Sequence, residues 1–260
     1  MWGGQAWLKE HGFIKGILTD YKSNALANYI LHKASEGEKG IIWKEDGRIL
    51  GRGGFVNESI CFPNPKFQLF PANRYWIPHQ KTKNFYSIMI SFGCPYQCAF
   101  CPYENIPFTR RSLKNIIEEL DYVKSLGINE LLVKDECFGS FWDDTKKFLD
   151  HLIKDDFQWC FSAEVRLDKL SKTQLKAMAD SGCHTLFFGV ESANIRLLKE
   201  KYAKEIDTDR LRSNIKLCRS LDIKTAAHYI LGLPGEDYSS VVSTINLSLE
   251  LDTDLSLIHI

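Results

Sequence analysis

From Phe85 onward the chain alternates short apolar runs with longer amphipathic stretches. The short runs are typical of buried strands, and the longer ones of helices with one apolar face. This pattern predicts strands at about 85–91, 130–134, 158–164, 184–190, 224–231 and 254–260, and helices near 112–126, 142–154, 171–181, 207–221 and 238–251. Regular alternation of this kind implies parallel strands joined by right-handed crossovers, so the sheet is either doubly wound or barrel-like.

Residues 1 to 83 follow a different pattern. A moderately periodic segment at 24–34 predicts one helix, and the following apolar stretch predicts a hairpin that turns at Asp46–Gly47. Between Phe62 and Pro78 the chain is rich in proline and aromatic residues, which predicts an extended linker packed across a surface. We therefore expect a small N-terminal α+β segment with a Pro-rich linker at 1–83, followed by the core at 84–260.

Composition excludes several classes of protein. A hydrophobic content of 44% is ample for a buried core, and the balance of 33 basic against 33 acidic residues gives no overall signal for nucleic acid or a membrane surface. No apolar run approaches the roughly 20 residues of a membrane-spanning helix. Apart from one triplet, the eight Cys are scattered singly through apolar stretches, as reduced core thiols are, and we expect a cytoplasmic location.

The triplet is Cys94, Cys98 and Cys101, in a C-x3-C-x2-C pattern directly after the first predicted strand. One short loop that supplies three thiolates to a [4Fe-4S] cube leaves one iron open for a non-protein ligand. A structural zinc site would need a second pair of ligands, and the sequence contains no such pair. Three incidental buried thiols are the other alternative, although Gly93 and Pro95 favour a turn over a core strand.

This spacing, with Phe100 just before the last Cys, resembles the motif of the radical S-adenosylmethionine (SAM) superfamily. The resemblance implies that the three Cys ligate a [4Fe-4S] cluster whose open iron is chelated by SAM, and that an electron from the cluster cleaves SAM to a 5'-deoxyadenosyl radical. It also favours a partial (β/α)6 barrel for the α/β core. In such sheets ligands bind at the carboxyl ends of the strands, where the Cys loop would lie.

Polar or Gly-rich residues follow four further predicted strands, where they would face the same site. SAM carries an ammonium, a carboxylate, a ribose and an adenine, so its site needs carboxylates, a cation and close backbone approach. The strand ends supply all three. They are Lys134-Asp135-Glu136-Cys137-Phe138, Glu164-Val165-Arg166, Gly189-Val190-Glu191-Ser192 and Gly232-Leu233-Pro234-Gly235-Glu236.

The resemblance assigns roles at these positions. Glu191 matches the residue that hydrogen-bonds SAM, and Arg166 matches a residue that would meet the SAM carboxylate. The segment with Gly232 and Pro234 is similar to one that approaches adenine. Asp135 and Glu136 replace the usual Gly-Gly-Glu, which leaves the amino-group ligand open, and Tyr96 and Phe100 in the Cys loop complete the expected cofactor-binding set.

Structural alternatives stand beside these roles. Arg166 could pair with Glu164 or Asp168, and Asp135 and Glu136 could cap the next helix. Gly232-Leu-Pro-Gly is also an ordinary strand-to-helix turn. The remaining candidates are interpreted as structural: Arg110 and Arg111 as a solvated pair, Cys137 and Cys183 as core thiols, and His184 and His228 as packed, hydrogen-bonded histidines.

Within the superfamily, the chain most resembles the branch in which a cobalamin-binding domain precedes the radical SAM core. The residues that carry this resemblance are Arg110-Arg111-Ser112, Lys-Asp-Glu-Cys-Phe and Phe-Gly-Val-Glu-Ser. An Asp-x-His-x-x-Gly cobalamin motif is absent from the sequence, so cobalamin is expected only in a longer parent chain. The resemblance also implies an electron donor such as flavodoxin or ferredoxin, and a small-molecule or peptide substrate.

Two other classes of function remain open, namely a non-catalytic iron–sulfur electron-transfer protein and a degenerate radical SAM relative that binds a partner. We also expect these 260 residues to be part of a longer protein. The last predicted strand has nothing after it to cover it, and the segment before the linker has little apolar surface for a core of its own.

Overall fold

A computed structural model describes residues 4–20, 23–54, 61–70, 74–104 and 106–260. The chain divides into two compact units, Met1–Ile60 and Cys61–Ile260. This division falls before the predicted boundary at 83/84, because the residues predicted to form the linker belong to the second unit. The assignment of 84–260 as a domain of the whole protein stays a prediction.

The first unit is a three-stranded antiparallel sheet with two short helices. Its elements are α1 (Gly4–Glu10), β1 (Gly16–Leu18), α2 (Ala25–Ile30), β2 (Ile41–Glu45) and β3 (Arg48–Arg52). The predicted hairpin is confirmed, and its turn residues Asp46 and Gly47 both have positive φ, as a type I′ turn requires. The pattern did not predict α1 or β1, and the unit has a small apolar cluster of its own around Trp43.

The predicted linker packs on the second unit. The backbone N–H of Phe62 donates to the side-chain oxygen of Asn115 at 2.9 Å, and the backbone N–H of Phe67 donates to the hydroxyl of Tyr122 at 3.2 Å. One 3-10 turn, Phe67–Leu69, interrupts the extended path. Residues 71–73 of this stretch lie outside the described residues.

The second unit is built on a six-stranded parallel sheet. Its elements are β4 (Phe85–Ile88), β5 (Ser91–Phe92), β6 (Thr109–Arg110), α3 (Leu113–Ser125), β7 (Glu130–Phe138), α4 (Trp142–Lys154), β8 (Cys160–Val165), α5 (Lys172–Asp180), β9 (Cys183–Glu191), α6 (Ile195–Tyr202), α7 (Thr208–Ser220), β10 (Lys224–Ile230), α8 (Tyr238–Leu251) and β11 (Leu255–His259). The strand order is β4-β7-β8-β9-β10-β11. The predicted partial (β/α)6 barrel is confirmed.

Local sequence signals set the helix ends. Ser112 caps α3 by accepting the backbone N–H of Asn115, and Ser171 forms a capping box with Gln174 at the start of α5. Gly127, just after α3, has a φ of +70°, as a residue that follows a helix end commonly does. Among the helices in the described part of the chain, none combines the length and apolar character that crossing a membrane requires.

The two faces of the parallel sheet differ. One face packs against the helices in a single large core, and its strand residues are apolar: Tyr86, Ile88, Leu131, Val133, Phe161, Ala163, Leu186, Phe188, Ala227 and Tyr229. The alternating positions are more polar and more accessible, and they include Ser87, Lys134, Glu136, Glu164 and His228. Contrary to the expectation for parallel strands, the sheet is therefore not apolar on both faces.

The last strand, β11, pairs with β10 at the edge of the sheet. Leu255, Leu257 and Ile258 are 41–51% exposed. The predicted sixth strand is thus confirmed, and the expectation that further chain covers it stays a prediction.

A buried carboxylate fixes the amino end of the sheet. Glu130, the first residue of β7, is fully buried and accepts the backbone N–H groups of Lys81 at 2.8 Å and Thr82 at 2.5 Å. Nε2 of His184 in β9 lies 3.3 Å from the same carboxylate. Burial raises the pKa of Glu130, but the contacts with His184, Thr82 and Lys81 outweigh it and hold the pKa below its usual value. Nδ1 of His184 lies 2.8 Å from the hydroxyl oxygen of Thr185, so this histidine is packed and hydrogen-bonded, as predicted.

Replacing Glu130 with Gln should lower the free energy of unfolding at pH 7 by about 1–3 kcal/mol, because buried donors lose a charged acceptor. A carboxylate whose folded pKa is lowered stabilises the fold above its unfolded pKa, and this stabilisation is lost as the pH falls through the folded pKa. The deficit of Glu130→Gln should therefore shrink below about pH 4. Urea unfolding of both proteins at several pH values measures this difference in the free energy of unfolding. An equal loss in Glu118→Gln, at an exposed site on α3, would contradict this role.

Candidate functional site at the carboxyl ends of the strands

The Cys loop is held in place by close backbone contacts. Gly93 has a φ of +80°, and a Cβ there would lie 2.6 Å from the carbonyl oxygen of Pro107, so only glycine fits. The backbone N–H of Gly93 donates to the Glu136 carboxylate at 2.9 Å. A turn then brings the backbone N–H of Cys101 to the carbonyl of Cys98 at 2.8 Å. The start of the Cys loop therefore lies beside the carboxyl end of β7.

The three loop thiols are free and partly buried, and they differ in electrostatic setting. A hydrogen bond with Cys137 is the main reason that the pKa of Cys94 falls to about 7. Burial raises the pKa of Cys98 and Cys101, while the charge of Lys204 opposes that rise in both. Cys94 is therefore the loop thiol most readily converted to the thiolate.

No three His, Cys, Asp or Glu side chains among the described residues are grouped so that they could hold a metal ion. The loop thiols are nonetheless close enough for Cys94 and Cys101 to raise the pKa of Cys98 through their charges. Three thiolates that bind three different irons of a cube do not meet at one point, as the ligands of a single ion must. Whether Cys94, Cys98 and Cys101 ligate a cluster stays a prediction.

Asp135 and Glu136 both hold the chain around the Cys loop. Asp135 is buried and accepts the backbone N–H groups of Ile90 at 2.7 Å and Ser91 at 3.0 Å, together with the Ser91 hydroxyl at 2.5 Å. Burial raises the pKa of Asp135 to about 6, although these hydrogen bonds lower it. Both residues lie within β7, whereas the residue at the start of α4 is Phe141, which makes no side-chain capping bond. Asp135 and Glu136 therefore do not cap the next helix. The alternative of a helix cap is wrong.

Arg166 follows β8 and lies in a buried polar cluster. Its guanidinium forms two hydrogen bonds with Asp168, at 2.8 and 2.9 Å, and donates to the backbone carbonyl of Glu205 at 2.7 Å. It also stacks on the ring of Tyr96 in the Cys loop, with 4.7 Å from the guanidinium carbon to the ring centroid. The predicted alternative of a pair with Asp168 is confirmed, and the role of Arg166 toward SAM stays a prediction.

Glu191 ends β9 in a left-handed conformation, with a φ of +65°, and is buried. Its carboxylate pairs with Lys204 at 2.5 Å, and the Lys204 ammonium also donates to the carbonyl of Gly189 at 3.0 Å. A Cβ on Gly189 would lie 1.9 Å from the Glu191 carboxylate and 2.7 Å from the Lys204 ammonium. The glycine therefore makes room for this ion pair, which sequence reasoning missed.

Helix α6, also missed from the sequence, joins the Cys loop to two strand ends. The carbonyl of Tyr202 accepts the backbone N–H of Ala99, and the Tyr202 ring lies 5.8 Å from that of Phe100. The hydroxyl of Tyr202 donates to the carbonyl of Pro234 at 2.8 Å. The available signal was Asn194, whose side chain caps the helix by accepting the backbone N–H of Leu197.

The loop after β10 is shaped by a single carboxylate. Glu236 accepts the backbone N–H groups of Gly232 at 3.0 Å and Leu233 at 3.1 Å, and the hydroxyl of Ser192 at 2.5 Å. Gly232 has a φ of +85°. Gly232 and Pro234 therefore lie beside the end of β9, and their contact with adenine stays a prediction.

The two arginines at the end of β6, Arg110 inside the strand and Arg111 just after it, differ from each other. Arg110 pairs with Asp144 at 3.0 Å and lies on the ring of Phe141. Arg111 is buried, and it pairs with Glu119 at 2.5 Å and donates to the carbonyl of Met89 at 2.7 Å. The interpretation of a solvated basic pair is wrong for Arg111, whose surroundings make it a structural residue.

The other residues interpreted as structural lie inside the fold. Cys137 and Cys183 are buried, as expected of core thiols. His228 is half-buried against the ring of Phe187, but its Nε2 has no hydrogen-bond partner among the residues that the structure describes, so this histidine is packed without a hydrogen bond there.

Comparison with known proteins identifies the family. Residues 88–248 match the family model described as the radical SAM superfamily. Because this match covers more than half of the 260 residues, the chain belongs to the radical SAM superfamily. The predicted family is confirmed, and membership implies a [4Fe-4S] cluster and SAM as cofactors.

Relatives by sequence include methyltransferases and cyclases. An uncharacterized methyltransferase of Pyrococcus horikoshii is 28% identical over 84% of this chain and 48% of its own length. The cytidylyl-2-hydroxyethylphosphonate methyltransferase of Streptomyces wedmorensis is 25% identical over 64% of this chain and 32% of its own length. The chain thus spans no more than about half of either relative.

Solved structures share the fold. The radical SAM methyltransferase TsrM from Kitasatospora setae superposes with a TM-score of 0.76 at 16% identity, covering 99% of this chain and 53% of that one. The cobalamin-dependent SAM radical enzyme OxsB superposes with a TM-score of 0.68 at 19% identity, covering 92% of this chain and 36% of that one. At these identities the likeness shows the fold alone.

The residues present fit the cofactors that the family implies. One loop offers three free thiols, which suits a cube with one iron open to SAM. The charges of Lys204 and Arg166 favour the thiolate of Cys98. The buried Glu191–Lys204 pair and the Arg166–Asp168 pair beside the loop offer the carboxylates and cations that a zwitterion such as SAM requires.

Gly189→Ala should lower the free energy of unfolding by about 1–3 kcal/mol, because the added methyl group overlaps the Glu191–Lys204 pair. Denaturant unfolding gives the value. The matched control is Gly12→Ala, where an added Cβ meets nothing within 4 Å. A loss in Gly189→Ala no greater than in the control would show that the pair adapts freely.

Proposed function

We propose that the protein is a radical SAM enzyme in which Cys94, Cys98 and Cys101 hold a [4Fe-4S] cluster and the adjacent strand ends hold SAM. The observation that carries this proposal is the position of the Cys loop. It lies after the first strand of the parallel sheet, beside Glu136 and the Glu191–Lys204 pair. When bound, the cluster and SAM supply one-electron reductive cleavage of SAM.

The protein's own residues would bind and orient SAM. Glu191, at the buried end of β9, would accept a hydrogen bond from SAM, while Lys204 holds its carboxylate in place. Arg166, fixed by Asp168, would meet the SAM carboxylate, and the backbone at Gly232 and Pro234 would approach adenine. Phe100 and Tyr202 pack beside this region and would help to exclude water.

The reaction is proposed to be methylation, cyclisation or rearrangement of a small-molecule or peptide substrate. Support comes from relatives that include methyltransferases and the anaerobic magnesium-protoporphyrin IX monomethyl ester cyclase of Cereibacter sphaeroides. We also infer the cobalamin-associated branch, supported by the fold shared with OxsB, with cobalamin bound only in a longer parent chain. Asp135 and Glu136 remain candidates for the SAM amino group, although the structure gives both of them other partners.

We further infer an electron donor of the flavodoxin or ferredoxin type, because SAM cleavage consumes an electron. All eight cysteines are free, which supports a reducing compartment such as the cytoplasm.

The test of the function is anaerobic reconstitution with iron and sulfide, followed by dithionite and SAM. Formation of 5'-deoxyadenosine supports the enzyme. A protein that takes up a cluster but yields no 5'-deoxyadenosine would favour the non-catalytic iron–sulfur alternative, and one that takes up no cluster would favour a degenerate relative.

Replacing Cys98 with Ala should remove most of the iron that the reconstituted protein holds, because the cluster loses one of its three proposed thiolate ligands. Iron analysis and the visible absorption of the cluster measure this loss. Cys61→Ala, Cys160→Ala and Cys218→Ala should keep the wild-type iron content. Full iron retention in Cys98→Ala would rule out the assigned ligand set.

Glu191→Gln should weaken SAM binding by about 1.5–3 kcal/mol, because it keeps the side-chain volume but removes a charged acceptor. Equilibrium binding of SAM to the cluster-loaded protein measures the loss, and the iron content should not change. Glu200→Gln, at an exposed pair with Arg196 on α6, is the control. Unchanged SAM affinity in Glu191→Gln would leave Glu191 with a structural role.

A further inference from the structure

The chain just before the Cys loop is held through both its N–H and its C=O groups. Asp135 accepts the backbone N–H of Ile90 at 2.7 Å. From the other side, the guanidinium of Arg111 donates to the carbonyl of Met89 at 2.7 Å, and the backbone N–H of Arg111 donates to the carbonyl of Ile90 at 3.2 Å. Arg111 therefore helps to fix the point from which the Cys loop departs.

The guanidinium of Arg111 is positioned in turn by side chains of α3. Its Nε and Nη2 donate to the side-chain oxygen of Asn115 at 3.1 and 2.7 Å, and its Nη1 pairs with Glu119. All three residues are buried, with 5–6% of their surfaces exposed. Because every nitrogen of this guanidinium has an acceptor, the side chain keeps the one orientation that reaches Met89.

The linker completes this enclosure. The backbone N–H of Phe62 donates to the side-chain oxygen of Asn115, and the Asn115 amide nitrogen donates back to the carbonyl of Phe62, both at 2.9 Å. This two-point contact sets the Phe62 ring over Arg111, with 5.0 Å from the guanidinium carbon to the ring centroid. At that distance no water fits between them, so the ring keeps solvent from this side of the guanidinium.

We propose that Phe62 is a positioning residue for the Cys loop. By docking on Asn115 and covering Arg111, it keeps the carbonyl of Met89 bound and the loop thiols in place. Without its ring, water would compete with Met89 for the guanidinium donors, and the chain before the loop would open more often. Phe62 lies outside residues 88–248, which match the family model. Where it concerns the cluster, this inference rests on the proposed function.

The first experiment uses the cluster-free protein and follows the alkylation of each cysteine by iodoacetamide with peptide mass spectrometry. In Phe62→Ala the loop thiols should react about fivefold faster than in the wild type, as the loss of one enclosed cation–π contact implies. Phe62→Tyr keeps a ring over the guanidinium and should restore the wild-type rates. Phe70→Ala is the matched control, because Phe70 belongs to the same linker but is 61% exposed.

Unchanged rates at the loop thiols in Phe62→Ala would overturn the proposal, as would an equal rise in Phe70→Ala or no recovery in Phe62→Tyr. The buried thiol of Cys218 in α7 separates local from general loosening. Its rate should stay at the wild-type value in every variant. A rise at Cys218 that equals the rise at the loop thiols would show that the whole fold has loosened, and this too would overturn the proposal.

A second measurement takes the cluster-loaded protein and times the release of iron to the chelator bathophenanthroline disulfonate. Iron should leave Phe62→Ala about fivefold faster than it leaves the wild type, by the same loss of one contact. Phe62→Tyr and Phe70→Ala should release iron at the wild-type rate. Equal release from all four proteins would contradict the role of Phe62 toward the cluster.

The two levels of the interpretation fail separately. A wild type that takes up no cluster, or that holds one but yields no 5'-deoxyadenosine, would contradict the proposed function, yet the alkylation rates would still decide whether Phe62 holds the Cys loop. Normal SAM cleavage in the wild type together with unchanged alkylation in Phe62→Ala would contradict only the role of Phe62.

Discussion

The arrangement of the site depends on the hydrogen bonds that Asp135 accepts from the chain after β4. The first parallel strand ends at Ile88, although the apolar run continues, because the N–H groups of Ile90 and Ser91 donate to this carboxylate. With those donors used, the chain leaves the sheet and pairs briefly with β6. The Cys loop follows at once, so one buried side chain of β7 determines where three thiols are presented.

Burial of so many charges near one end of a sheet is costly, and the structure compensates by pairing them. Arg111 with Glu119, Arg166 with Asp168, and Lys204 with Glu191 are each almost fully enclosed. An enclosed pair contributes little net stability, but removal of one partner leaves an uncompensated charge. The pairs therefore constrain geometry more than they stabilise the fold, and two of them lie beside the Cys loop.

The sequence predicted the regular part of the molecule well because the strand residues that face the helices are apolar and periodic. The predicted helix near 142–154 matches α4, and the strand predicted at 224–231 matches β10 closely. The Cys ligand set could be proposed because its spacing is local. The strand predicted at 85–91 was too long because its end is set by Asp135, more than forty residues later in the chain.

Other features could not be predicted because they too depend on contacts between residues far apart in the chain. Helix α6 has charged residues at four of its eight positions, so its apolar pattern is weak. A lysine in such a stretch is expected to be exposed. Lys204 is buried only because the left-handed turn at Glu191 brings a carboxylate to meet it and Gly189 leaves space for both. Neither condition is visible without the fold.

Helix α6 gives these separate contacts a common support. Its last residue, Tyr202, binds the backbone of the Cys loop at Ala99 and the carbonyl of Pro234 in the loop after β10. Lys204, two residues later, reaches the end of β9. A shift of α6 would therefore move the loop of the proposed cluster ligands and two of the proposed SAM contacts together. Since the parallel strands are fixed by the core, α6 and the segment after it are the part of this unit best placed to couple the position of the proposed cluster ligands to the occupancy of the proposed SAM site.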